Sequence, residues 1–138
     1  MALTAKVKRE FVGPQEVLSI MTAGNDTYYE GALLQIDADG YADVPSDTAA
    51  LPPAGVYSGR QGAAKAVASG SHTRIEMLRG KCWVAFTGAA QSDVGELFYL
   101  SDDNTLTQSA SSKTWGVLAL DFKAGYALVD FANPVYIG

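Results

Sequence analysis

Turn signals cut this chain into short runs, and nowhere between them lies an amphipathic pattern long enough for a crossover helix. That absence constrains the fold most. Parallel α/β architectures need such helices to carry the chain back to the same sheet, so they and their nucleotide sites are excluded. What remains is an all-β, antiparallel chain. About eight to ten strand-like runs can be counted, spaced as small sandwiches and barrels require.

Residues 2–12 (ALTAKVKREFV) alternate weakly and read as an extended arm or an edge strand. Gly13-Pro14 is a turn signal, and residues 16–22 read as the first core strand, ended by Ala23-Gly24-Asn25-Asp26. Residues 32–37 and 41–44 flank Ala38-Asp39-Gly40, whose Asp-Gly pair suits the positive φ of a tight hairpin. The proline-rich stretch from Pro45 to Pro53 reads as a loop, because proline removes donors from a ladder. Residues 54–60 form a glycine-framed strand. Residues 61–69 (QGAAKAVAS) predict a helical turn from their alanines, with a strand as the alternative.

Residues 72–79 alternate, with Thr73, Ile75 and Met77 facing one way and Arg74 and Glu76 the other. Residues 81–87 follow Gly80 as a further strand, with Cys82, Val84 and Phe86 on one face and Trp83 opposite. In the last third, residues 96–100 and 105–108 flank the polar turn Ser101-Asp102-Asp103-Asn104. Residues 115–122 and 126–131 are joined by Lys123-Ala124-Gly125. Both strands of that last hairpin are nearly continuous in apolar residues, which predicts a central place in the core. The expected architecture is a small antiparallel β-sandwich or barrel, jelly-roll-like, with an extended N-terminal arm over 1–12 and a single β domain over 13–138.

Charge is unevenly placed. Of 138 residues, 10 are Lys or Arg and 15 are Asp or Glu, for a net charge of −5. Residues 1–9 carry Lys6, Lys8 and Arg9 and no acid, so the remainder is strongly acidic. An acidic body repels phosphate and argues against nucleic acid. A basic arm on such a body can seek an acidic surface on a neighbour, including another copy of the chain. Charged residues make up only 18% of the chain, against roughly 25% in typical domains, which fits a surface partly covered by a partner. No apolar stretch approaches the roughly 20 residues needed to cross a bilayer, and no secretory signal is visible, so a cytosolic origin is expected.

The residues that can do chemistry are few. The single cysteine, Cys82, lies in an apolar strand and is expected to be buried and inert. The single histidine, His72, has Ser71 beside it, which places the two side chains on opposite sides of a strand. No Gly-x-Ser-x-Gly elbow is present. Zinc would need a mostly carboxylate ligand set, which suits it poorly. Asp37 with Asp39, and Asp102-Asp103-Asn104, could be read as calcium ligands or a glycosidase pair. Asp and Asn also make turns by bonding their own backbone, and that reading explains every acidic cluster here. No phosphate-binding glycine loop occurs. The expectation is therefore a non-enzyme without cofactor or metal. Tyr28, Tyr29, Tyr41 and Tyr57 lie near turns and are candidate surface anchors for a partner.

Four segments together carry a resemblance: Tyr29-Glu30-Gly31-Ala32-Leu33-Leu34, then Pro53-Ala54-Gly55-Val56-Tyr57-Ser58-Gly59, then Val94 through Thr107, then Trp115-Gly116-Val117-Leu118-Ala119-Leu120. In this order they resemble the capsid decoration, or cement, proteins of tailed bacteriophages, over roughly residues 28–131. The resemblance implies a non-enzymatic protein on the outer surface of the virion, made in the host cytoplasm, that bridges major capsid subunits and pairs with itself as a dimer or trimer. It has no catalytic residues to carry over. The residues expected to touch partners are Lys6, Lys8, Arg9 and Phe11 of the arm, with Tyr28 and Tyr29. A carbohydrate- or host-surface-binding β module on a virion is the alternative, and a small carboxylate hydrolase a third.

Overall fold

The computed structural model describes residues 1–46 and 51–138. The described strands are β1 (Glu10–Met21), β2 (Asp26–Tyr29), β3 (Leu33–Ile36), β4 (Ala42–Asp43), β5 (Pro53–Tyr57), β6 (Ala64–Val67), β7 (Arg74–Ala85), β8 (Leu97–Leu100), β9 (Leu106–Thr107), β10 (Trp115–Lys123), β11 (Tyr126–Asp130) and β12 (Val135–Tyr136). The only helical element among the described residues is one 3-10 turn at Gln91–Asp93. The described strands pair antiparallel, and one isolated bridge, Thr22 with Ala42, is parallel. Ten strands make one curled sheet in the order β4-β3-β5-β7-β11-β10-β8-β9, with β1 on β7 and β12 on β10, and β2 and β6 make a second, two-stranded sheet. The all-β architecture is as the sequence predicts.

β7 organises the molecule. One of its edges carries β1 along nearly its whole length, and the other carries β5 and then β11. Its two faces serve two cores, as the two-residue period of a strand demands. Cys82 and Val84 point into a cluster with Leu33, Val56, Phe98, Val117, Val129 and Phe131, inside the curl. Ile75 and Met77 point the other way, into a cluster with Tyr28, Leu34, Ala54, Tyr57 and Val67, which the small β2–β6 sheet covers. β5 is therefore buried at all five positions. Trp83 faces out from Cys82 and Val84, as predicted.

Three expectations change. Residues 72–79 and 81–87 are one strand, not two, and Gly13-Pro14 is not a turn. The two signals lie opposite each other. Val12 pairs with Lys81 and Glu16 with Arg79, so Gly13, Pro14 and Gln15 bulge over the single residue Gly80. A Cβ on Gly80 would lie 3.1 Å from the Pro14 carbonyl oxygen, so glycine there makes room for the bulge. Residues 10–12, in the stretch read as an extended arm or an edge strand, are the first of β1.

Residues 61–69 hold β6, the strand alternative, in place of the helical turn that their alanines predict. The alanines sit between Gly62 and Gly70, too short a span to nucleate a helix, and Ala64–Val67 pair with β2. Within the Pro45–Pro53 loop, residues 47–50 lie outside the described residues, and Pro53 already belongs to β5.

Candidate functional site

The N-terminal nine residues are extended and lie against the body. One backbone hydrogen bond and several side-chain ones hold them. The Leu3 amide donates to Asp103 Oδ1 at 2.8 Å. The Val7 amide donates to the Glu30 carbonyl at 2.9 Å. Arg9 donates from Nε to the Gly31 carbonyl and from Nη2 to Asn104 Oδ1, both at 2.8 Å. Asn104 Nδ2 in turn donates to the Met1 carbonyl at 3.4 Å. The receptor is thus the 101–104 turn, reached across about a hundred residues of sequence. Gly31, at φ +86°, lets the arm pass. A Cβ there would fall 2.1 Å from the Val7 carbonyl oxygen.

The six predicted partner residues fall into three groups. Lys6 and Lys8 are exposed and make no ion pair among the described residues. Arg9 and Phe11 turn inward. Arg9 is half-buried at the turn, and Phe11, opposite Cys82, packs against the inner core. Burial disfavours the Arg9 charge, while Asp103 supports it. Burial also pushes the Asp103 carboxyl up, and the Leu3 amide holds it down. Tyr28 is corrected. It is fully buried and donates its hydroxyl hydrogen to the Ala23 carbonyl at 2.8 Å, so it is no surface anchor. Tyr57 is buried as well, and its hydroxyl donates to the Gly62 carbonyl. Both occupy the outer core because β2 and β5 face each other across it. Tyr29 is half-buried on β2.

The groups with chemical potential are occupied structurally. Cys82 is buried, and desolvation pushes its thiol up to about 12, which keeps it protonated. His72 Nδ1 donates to the Thr22 carbonyl at 2.8 Å, and its ring stacks on Tyr41 at 4.0 Å with 6° between planes. One carboxyl pair was missed by the sequence reading. Burial, then a hydrogen bond with Asp43, raises the Asp26 carboxyl to about 7. Asp26 and Asp43 belong to β2 and β4, and no local spacing announces their nearness. Among the described residues no three metal-ligating side chains cluster. No helix among them is long and apolar enough to cross a membrane. On the outer face, Lys123 Nζ sits 4.5 Å from the Trp83 ring centre and bonds Glu10, so Trp83 does not offer a bare platform.

The long strand β1 is the other exposed feature. It pairs with β7, its end meets β4 through a parallel bridge between Thr22 and Ala42, and Val12, Val17 and Leu18 show 41%, 60% and 37% of their surfaces.

Comparison with solved structures finds a chain from the capsid of Myoviridae Phage XM1. The TM-score is 0.55 with 14% sequence identity, over 95% of this chain and 93% of that one. At that identity the likeness is one of fold. No protein-family model matches, and no curated protein matches.

Proposed function

We propose that this chain is a capsid decoration protein, binding the outside of a tailed-phage head and bracing contacts between major capsid subunits. The observation that carries this reading is a fold shared, over nearly the whole length of both chains, with a component of a phage capsid. The surface supports it. The single histidine and the single cysteine are both held in structural surroundings, while Lys6 and Lys8 stand exposed on a strapped arm. A protein of this kind works by binding, and many copies on a repeating lattice gain from multivalency.

The test is direct. Purified protein added to expanded capsids should raise their resistance to heat or chaotrope. Capsids equally fragile with and without it would sink the reading. The arm is tested by the double variant Lys6→Ala with Lys8→Ala. It should weaken capsid binding and leave unfolding unchanged, because neither side chain has an ion pair among the described residues. Deleting residues 2–10 would be a poorer test, since it also removes Arg9 and the first residue of β1.

A further inference from the structure

The outer face of the sheet carries a cleft beside the arm. β7 puts Trp83 and Ala85 on that face, two residues apart. The register then sets Glu10 beside Trp83, and Tyr126 with Lys123 beside Ala85. Ala85 is small and exposed, so it leaves a floor between two aromatic walls. Lys8 and Arg9 form a third wall, where the arm leaves β1 for the turn at Asn104. The space between them is about 330 Å³.

The charge of this cleft is the reverse of the body's. Lys8, Arg9 and Lys123 line it with one acid, Glu10, in a chain of net charge −5. Among the described residues neither Lys8 nor Arg9 has an ion pair. Arg9 donates to uncharged oxygens, those of Gly31 and Asn104. Lys123 does meet Glu10, at 3.4 Å, but the two side chains are 43% and 69% exposed. A pair that open to water is weak, and a carboxylate from outside can replace Glu10 in it. Lys123 Nζ also lies 4.5 Å from the Trp83 ring centre and 5.3 Å from that of Tyr126, which keeps the ammonium at the cleft when Glu10 lets go.

We infer that the cleft is a docking site for an acidic segment of a partner protein. One carboxylate of the segment takes the place of Glu10 on Lys123, others meet Lys8 and Arg9, and the chain between them lies over Ala85. Cation–carboxylate hydrogen bonds are stronger than neutral ones, so three cations on a rigid face fix such a segment in one register. A nucleic acid of the same charge would meet the acidic body around the cleft. That the partner is a capsid subunit rests on the reading proposed above; the chemistry of the cleft does not.

A blocked hexaglutamate peptide is the probe, followed by nuclear magnetic resonance. It should shift the Trp83 indole N–H, the Ala85 amide and the Arg9 Nε–H saturably, leave the Trp115 indole unmoved, and lose affinity as salt rises. Lys8→Glu should weaken binding roughly tenfold, since it sets like charges together. Glu10→Gln should tighten it roughly threefold, because the competing acid is gone. Ala85→Leu fills the floor at an exposed position without changing charge, and should abolish the shifts while the protein stays folded. No shift at the cleft in wild type, undiminished binding by folded Ala85→Leu, or octathymidylate binding there as well as hexaglutamate each overturns the inference. Expanded capsids separate it from the decoration reading. Capsid binding that falls in Lys8→Glu and Ala85→Leu supports both. Capsid binding unchanged in folded Ala85→Leu overturns the inference and leaves the decoration reading standing. Hexaglutamate bound at the cleft by a chain that ignores capsids supports the inference and sinks the decoration reading.

Discussion

Two acidic turns in this chain look alike and do different work. At Asp37-Ala38-Asp39-Gly40, Asp37 Oδ1 accepts from the Asp39 and Tyr41 amides, both at 2.9 Å, and the hairpin closes on itself. At Ser101-Asp102-Asp103-Asn104, Asp102 Oδ1 accepts from the Asn104 amide at 2.9 Å in the same local manner. That bond frees the next two side chains for the arm, one taking the Leu3 amide and the other Arg9. Asp103 is 3% exposed, whereas Asp39 faces water. The first acid of such a turn builds it. Whether the later ones bind anything depends on what the fold brings across.

The largest test of that contrast is Asp103→Ala. It leaves the Leu3 amide without its acceptor and removes a charge that supports the half-buried Arg9, at about 2 kcal/mol by chemical denaturation. Asp103→Asn keeps an acceptor for Leu3 and should cost less. Gly31→Ala comes next. It forces a side chain into positive φ and against the Val7 carbonyl, at roughly 1–2 kcal/mol. Hydrogen exchange at the Val7 amide should speed up, showing the arm lifted with the turn intact.

A third test uses pH, because the 37–40 hairpin has its own distant tie, at Asp43 on β4. The Asp26 carboxyl titrates near 7 when folded and near 3.8 ordinarily, so the folded state holds the extra proton. Its stabilising effect is whole below the ordinary value and is lost as pH rises through about 7. Thermal unfolding should therefore show stability declining across that window, and Asp26→Asn should flatten the decline. The smallest effect belongs to Asp37→Ala, which removes two local bonds at an exposed turn and should cost about 0.5–1 kcal/mol. Equal losses at Asp37 and Asp103 would break the comparison.

The fold was readable where local rules decide. The hairpin at 37–41, the strand pairs 97–100 with 106–107 and 115–123 with 126–130, and the opposite facing of Cys82 and Trp83 follow from turn chemistry and the two-residue period. The errors share one cause. Gly13-Pro14 and Gly80 carry the local marks of turns, yet each makes sense only as the other's partner across β1 and β7. Tyr28 sits beside a turn, as a surface anchor would, but β2 lies over a second core that only the assembled sheet creates. The same limit governs the candidate site. The arm's charge was visible, while its receptor at Asp103 and Asn104 was read as an ordinary turn, because its ligand lies a hundred residues away.

That separation sets an order of events during synthesis. Residues 1–9 find their seat only after the 101–104 turn has been made, and β1 finds its ladder only after β7. Contacts so distant in sequence form late and slowly. The nascent chain thus carries residues 1–9 as a loose thread until the turn that receives them has been made.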